Sequence, residues 1–178
     1  MLYFTLFFAC NDAPEPSGKD VVLNVQKHAS PKADDFQTKS FECCDTKEAR
    51  DLLDQYLALT RAMAADNDAK TKAAVDSLVT YTSTPDFESY AAAEGLQEWI
   101  AGPKYWSTLS RKDIQDDFEA ASQIMVDFAK KHKTTKSEST LNVITAFCPM
   151  APGRWLQTES TISNPYYGST MLTCGVFE

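Results

Sequence analysis

Phe147-Cys148-Pro149-Met150-Ala151-Pro152-Gly153-Arg154-Trp155-Leu156, close to the end of a 178-residue chain, decides how everything before it is read. Helical periodicity has stopped by this point. The approach, Thr140-Leu141-Asn142-Val143-Ile144-Thr145-Ala146-Phe147, is β-branched and partly alternating, which reads as a strand running into Cys148. Proline fixes φ and glycine accepts positive φ, so Pro149, Pro152 and Gly153 mark bends. Ile162-Ser163-Asn164-Pro165-Tyr166-Tyr167-Gly168 and Met171-Leu172-Thr173-Cys174-Gly175 continue in the same manner. If Met171 to Cys174 returns along the strand, Cys148 and Met150 meet Met171 and Cys174. The upstream chain then serves as a helical scaffold for this tail.

Working back from the tail, four helices are expected. Thr46 caps the first, with Leu52, Leu53, Tyr56, Leu57, Thr60, Met63 and Ala64 on one stripe. A second, capped by Asp68, runs to about Val79 with Ala73, Ala74, Val75 and Leu78 inward. Pro85 suits the first turn of a third, which carries Phe87 to Ile100, has a weak point at Gly95 and ends at Gly102-Pro103. Ser110 opens the fourth and most regular one, with Ile114, Phe118, Ala121, Met125, Phe128 and His132 inward and Gln115, Asp116, Asp117, Glu119 and Lys130 outward. The fold class is therefore mainly α: an up-and-down four-helix bundle with a short C-terminal β or irregular Cys-Met tail packed on it. Met63 and Met125 read as core fillers.

Composition excludes several functions. A net charge of −8 and a pI near 4.8 argue against nucleic acid as a partner, since phosphate binding needs clustered Lys and Arg. The basic run from Lys130 to Lys136 instead closes the fourth helix and compensates its dipole. With two histidines, no glycine-rich phosphate loop and no HExxH helix, the sequence supports no enzyme. The adjacent acids Asp34-Asp35 and Asp116-Asp117 read as solvated pairs.

The N-terminus points to the cell envelope. Leu2 to Ala9 is apolar apart from Thr5 and too short to cross a hydrocarbon layer of about 30 Å, but long enough for the apolar core of a secretory signal. Ala9-Cys10 resembles a bacterial lipobox, in which the cysteine becomes the lipidated first residue, although no basic residue precedes the run and Phe7 replaces the usual Leu. Residues 1–10 are thus expected to be a signal, 11–45 a flexible tether rich in proline and charge, and 46–178 the folded domain. His28 falls in the tether and reads as solvated. The expected location is the periplasm, with Cys10 holding the protein to a membrane.

The tail motifs, Cys-Pro-Met-Ala from Cys148, Trp155-Leu156, Ile-Ser-Asn-Pro-Tyr-Tyr-Gly from Ile162 and Met-Leu-Thr-Cys-Gly from Met171, resemble the C-terminal pattern of the bacterial domain-of-unknown-function 3347 family. The resemblance covers the chain from about Glu48 onward. It implies a secreted or membrane-anchored protein, and it suggests heavy-metal or copper efflux components as partners, because that domain also occurs on periplasmic adaptors of such systems. The family often places His or Tyr before Cys-Pro-Met, where this chain has Phe147.

Two chemistries are open for the sulfur residues. Thiolate and thioether are soft donors, so Cys148, Met150, Met171 and Cys174 together suit Cu(I) or another soft metal. Equally, outside the cytoplasm Cys148 and Cys174 can form a disulfide that staples the tail, leaving a non-catalytic interaction module. Trp155, Tyr166 and Tyr167 read either as pins holding the tail to the bundle or as an exposed aromatic patch for a protein partner. A bond between adjacent Cys43 and Cys44 closes an eight-membered ring and is not expected; no role is assigned to that pair.

Overall fold

The structure is a computed structural model that describes residues 33–135, 141–151 and 153–178. The expected signal, lipid-anchor residue Cys10 and His28 lie outside the described residues.

The described chain is mainly helical, with a small antiparallel sheet in its C-terminal part. The helices are α1 (Ala33–Lys39), α2 (Lys47–Ala64), α3 (Asp68–Thr82), α4 (Pro85–Glu94), α5 (Gln97–Trp106) and α6 (Arg111–Lys131). The strands are β1 (Phe41–Cys43), β2 (Leu141–Phe147), β3 (Arg154–Gln157) and β4 (Val176–Phe177). A 3-10 turn covers Gly168–Thr170.

Local chemistry explains the helix boundaries. Thr46, Thr84 and Ser110 each accept a hydrogen bond from a backbone N–H of the first turn they cap, and Pro85 occupies the opening of α4. Asn67 rather than Asp68 caps α3, accepting from the Lys70 N–H. The expected third helix is two. Gly95 takes a left-handed conformation (φ 76°) and ends α4, after which α5 runs through Gly102-Pro103 to Trp106. A turn at this glycine rotates α5 so that Trp99 and Trp106 are both buried, whereas one straight helix would have kept α4's heading. Six helices therefore stand among the described residues where four were expected.

Part of the span 11–45 expected as a tether is folded. Residues 33–43 form α1 and β1, with the Phe36 ring against Phe177 and β1 paired antiparallel to the first half of β2. The apolar rings of Phe36 and Phe41 find partly buried positions on the core, which offsets the cost of ordering this segment.

β2 is the central strand. β1 lies along its first half, and β3 and β4 along its second. Val143 to Ala146 are all buried, within a sheet whose β3 packs on α6 and α2. The partner strands were misread in the sequence: Met171 to Cys174 does not pair with β2, and Arg154–Gln157 and Val176–Phe177 do. One core unites helices and tail, as a run of rings shows. Trp106 lies against Phe118, Phe118 against Tyr56 and Tyr166, and Tyr166 against Trp155. Met63 and Met125 are fully buried within it.

Candidate functional site

The C-terminal segment is built around two buried amides. Gln157 ends β3 at 3% exposure, and all four of its hydrogen-bonding positions are used. Its Oε1 accepts from the Trp155 indole (2.9 Å) and the Ser163 N–H (3.2 Å), while its Nε2 donates to the carbonyls of Glu159 (2.6 Å) and Thr161 (2.8 Å). Asn164, fully buried, shapes the next loop. Its side chain accepts from the Tyr166 N–H and donates to the Cys174 carbonyl, and its backbone N–H donates to the Leu172 carbonyl. These amides replace the ladder that a loop without long strands lacks.

A second network fixes the tail to the helices. The Leu156 N–H donates to the Tyr56 hydroxyl at 3.2 Å, Tyr56 lies 2.5 Å from the Ser122 hydroxyl, and Ser122 donates to the Arg154 carbonyl at 2.8 Å. Because the Ser122 proton is committed to Arg154, Tyr56 is the donor in the central bond. Burial pushes the Tyr56 phenol above its ordinary pKa, so it keeps that proton at any physiological pH. The Tyr166 hydroxyl donates to the same Arg154 carbonyl at 2.9 Å.

The third attachment is electrostatic. Arg111, at the start of α6, bridges Asp66 and Asp68 of the α2–α3 turn, each at 2.6 Å. Asp66 accepts from the Ser169 N–H at 2.6 Å, and a Cβ at Gly168 would sit 2.0 Å from its carboxylate. Hydrogen bonds from Ser169, and then the Arg111 charge, hold the Asp66 carboxyl below the usual carboxylate range. Gln115 was expected to face solvent, yet it is 8% exposed and donates to the Pro165 carbonyl at 2.7 Å. Its position beside the inward stripe allows a long polar side chain to reach the tail.

Within this frame, Cys148 and Cys174 are joined by a disulfide with their Cα atoms 5.7 Å apart. Cys148 is fully buried and Cys174 half-buried. Met150 is 64% exposed, with its carbonyl accepting from the Tyr167 hydroxyl, and Met171 is half-buried beside the 3-10 turn. Joined to each other, the two cysteines offer no thiolate; reduced, they would present two sulfurs already adjacent. Among the described residues, no three His, Cys, Asp or Glu side chains are grouped so as to hold a metal ion.

Trp155 is fully buried and Tyr166 is 6% exposed, so they pin the tail, and of the three aromatics Tyr167 alone reaches the surface at 37%. The exposed aromatic patch is thereby corrected: ring area that fills the core cannot face a partner. The adjacent cysteines are corrected as well. Cys43 and Cys44 are bonded, both buried, with Cys44 at φ 75°. The Cys44 N–H donates to the His132 carbonyl and Arg50 donates to the Cys44 carbonyl, so the turn that the ring requires is held from two helices.

No family model, no curated protein and no solved structure matches this chain. No helix among the described residues is long and apolar enough to cross a membrane.

Proposed function

We propose that this chain is a non-catalytic cell-envelope module, anchored by a lipid on Cys10, whose Cys148–Cys174 bond staples the C-terminal segment into a surface for protein partners. The observation that carries this reading is that bond seated between two buried amides that shape the loops it closes: Gln157 uses all four of its hydrogen-bonding positions, and Asn164 donates to the carbonyl of Cys174 itself. We read the helical part as an up-and-down arrangement of α2, α3, α5 and α6, supported by the packing of each on the next and of α6 on α2. Components of a heavy-metal efflux system are the partners suggested by the resemblance of the tail motifs.

The test is alkylation of protein isolated from the envelope, without reductant, followed by mass spectrometry. Cys148 and Cys174 are expected to resist labelling until a reductant is added. Free thiols at both positions would overturn the staple. Growth with a radiolabelled fatty acid tests the anchor, with label lost in Cys10→Ser.

A second reading rests on the adjacency of the two sulfurs. Once reduced, Cys148 and Cys174 supply two thiolates to a soft monovalent ion such as Cu(I), and Met150 and Met171 belong to the same tail as further thioether donors. Titration of the reduced protein with Cu(I) against a competing chelator addresses it. Unchanged affinity in Cys148→Ser/Cys174→Ser would remove this reading.

A further inference from the structure

We infer that the cleft between α5 and α6 docks a cationic amphipathic segment of a protein partner. The inference rests on the interaction reading proposed above and adds the surface and the partner's chemistry. Three adjoining depressions of about 300, 250 and 240 Å³ follow one another along α6, sharing Asp117 and then Ile124. Their floor is apolar and partly made of small residues, with Leu109, Trp106, Gly102, Ala120 and Ile124 in succession. Tyr105 stands at one end, 59% exposed, as an aromatic that a partner could cover. Gly102 and Ala120 both line the middle depression, where small side chains permit close approach of a backbone.

The rim is acidic. Six carboxylates line these depressions against one lysine, Lys131, so the cleft carries a surplus of five negative charges out of the chain's net −8. Lys131 is itself paired with Glu94, and Lys112 beside the cleft pairs with Asp116. The hydrogen bonds to Asp113, Asp117 and Asp127 come from neutral groups: the Ser110 hydroxyl, the Trp106 indole and the Gln123 amide. Arg154 acts on Asp127 from the tail, whereas the charge of Asp113 and Asp117 is left for something outside the fold to balance. An apolar floor with uncompensated carboxylates along its edges complements a segment with aliphatic residues on one face and Lys or Arg on the flanks. From Asp113 to Lys131 a helix extends about 27 Å, which matches a partner helix of about 18 residues.

The probe is a synthetic helical peptide of about that length, with leucines on one face and lysines on the others, titrated into the full chain. The three tryptophans make the readout local, because all are buried but only Trp99 and Trp106 lie beneath the cleft, whereas Trp155 is not among its lining residues. Saturable one-to-one binding is expected to shift the indole resonances of Trp99 and Trp106 and leave Trp155 in place. Ala120→Trp, at an exposed position, should weaken binding about tenfold without lowering the melting temperature. Asp113→Asn with Asp116→Asn should weaken it similarly, and the control pair Asp76→Asn with Asp86→Asn on α3 and α4 should not. Equal weakening by both pairs, or equal shifts of all three indoles, would overturn the proposal as mere charge attraction. Sedimentation showing a dimer that Ala120→Trp dissolves would also overturn it, making a second copy the occupant. Failure here leaves the thiol labelling of Cys148 and Cys174 unaffected, so the two readings fall separately.

Discussion

Gln157 and Gly168 illustrate how single residues hold the tail. Truncating Gln157→Ala strands the Trp155 indole inside the protein and removes the partner of the Glu159 and Thr161 carbonyls nearer the surface. Leaving such groups without partners costs about 1–3 kcal/mol each where water cannot reach them, and relaxation recovers part of it. A net loss of about 3 kcal/mol is expected from chemical denaturation. The two left-handed glycines make a paired experiment. Gly95 (φ 76°) has open space around a would-be Cβ, so Gly95→Ala should cost only the backbone penalty of about 1 kcal/mol. Gly168 (φ 51°) faces the Asp66 carboxylate at 2.0 Å, so Gly168→Ala must also break that contact and should cost clearly more. Equal losses in urea titrations would contradict this account.

Elements meet at the Asp66 turn, where the α2–α3 connection, the start of α6 and the tail share one carboxylate. Because its folded pKa lies below the unfolded value of about 4, Asp66 adds stability that is fully present above pH 4 and lost as pH falls through the folded value. Asp66→Asn keeps an acceptor and tolerates the positive φ of this position (51°). Its melting temperature should be lower than the native one at neutral pH, and should fall less steeply in acid. The helices joined here were legible in the sequence because their signals are local. Thr46, Pro85 and Ser110 announce starts, and the stripe from Leu52 to Met63 is buried throughout. What escaped was set by distant partners. The exposed Ala73 and the buried Gln115 break the simple stripe, the latter because Pro165 lies 50 residues away in sequence. Arg154–Gln157 is too short to show alternation, and its pairing with β2 depends on the loops that Gln157 and Asn164 shape. For the candidate site, Cys148 and Cys174 do lie together, but not through the pairing of Met171 to Cys174 with β2 on which that expectation rested. The burial of Trp155 and Tyr166, and the bond between Cys43 and Cys44, depended on surroundings that spacing does not report.

At the scale of the whole molecule, the two covalent links differ in what they contribute. Cys148 and Cys174 close a loop with a sequence separation of 26, which restricts the unfolded chain by about 3 kcal/mol, whereas Cys43 and Cys44, with a separation of 1, restrict almost nothing beyond their own turn. Cys148→Ala/Cys174→Ala should therefore lower the unfolding free energy by about that amount while leaving far-ultraviolet circular dichroism helical. Its loss of stability should fall within the same cooperative transition as the helices, since Phe118, Tyr166 and Trp155 belong to one continuous core. The hydroxyls of Tyr56 and Ser122 have one further effect. By occupying the Leu156 amide and the Arg154 carbonyl, they take two backbone groups of β3 out of reach of a passing strand. Copies of the protein crowded together would thus be less prone to fibrous self-association through this strand for as long as α2 and α6 stay folded over that flank.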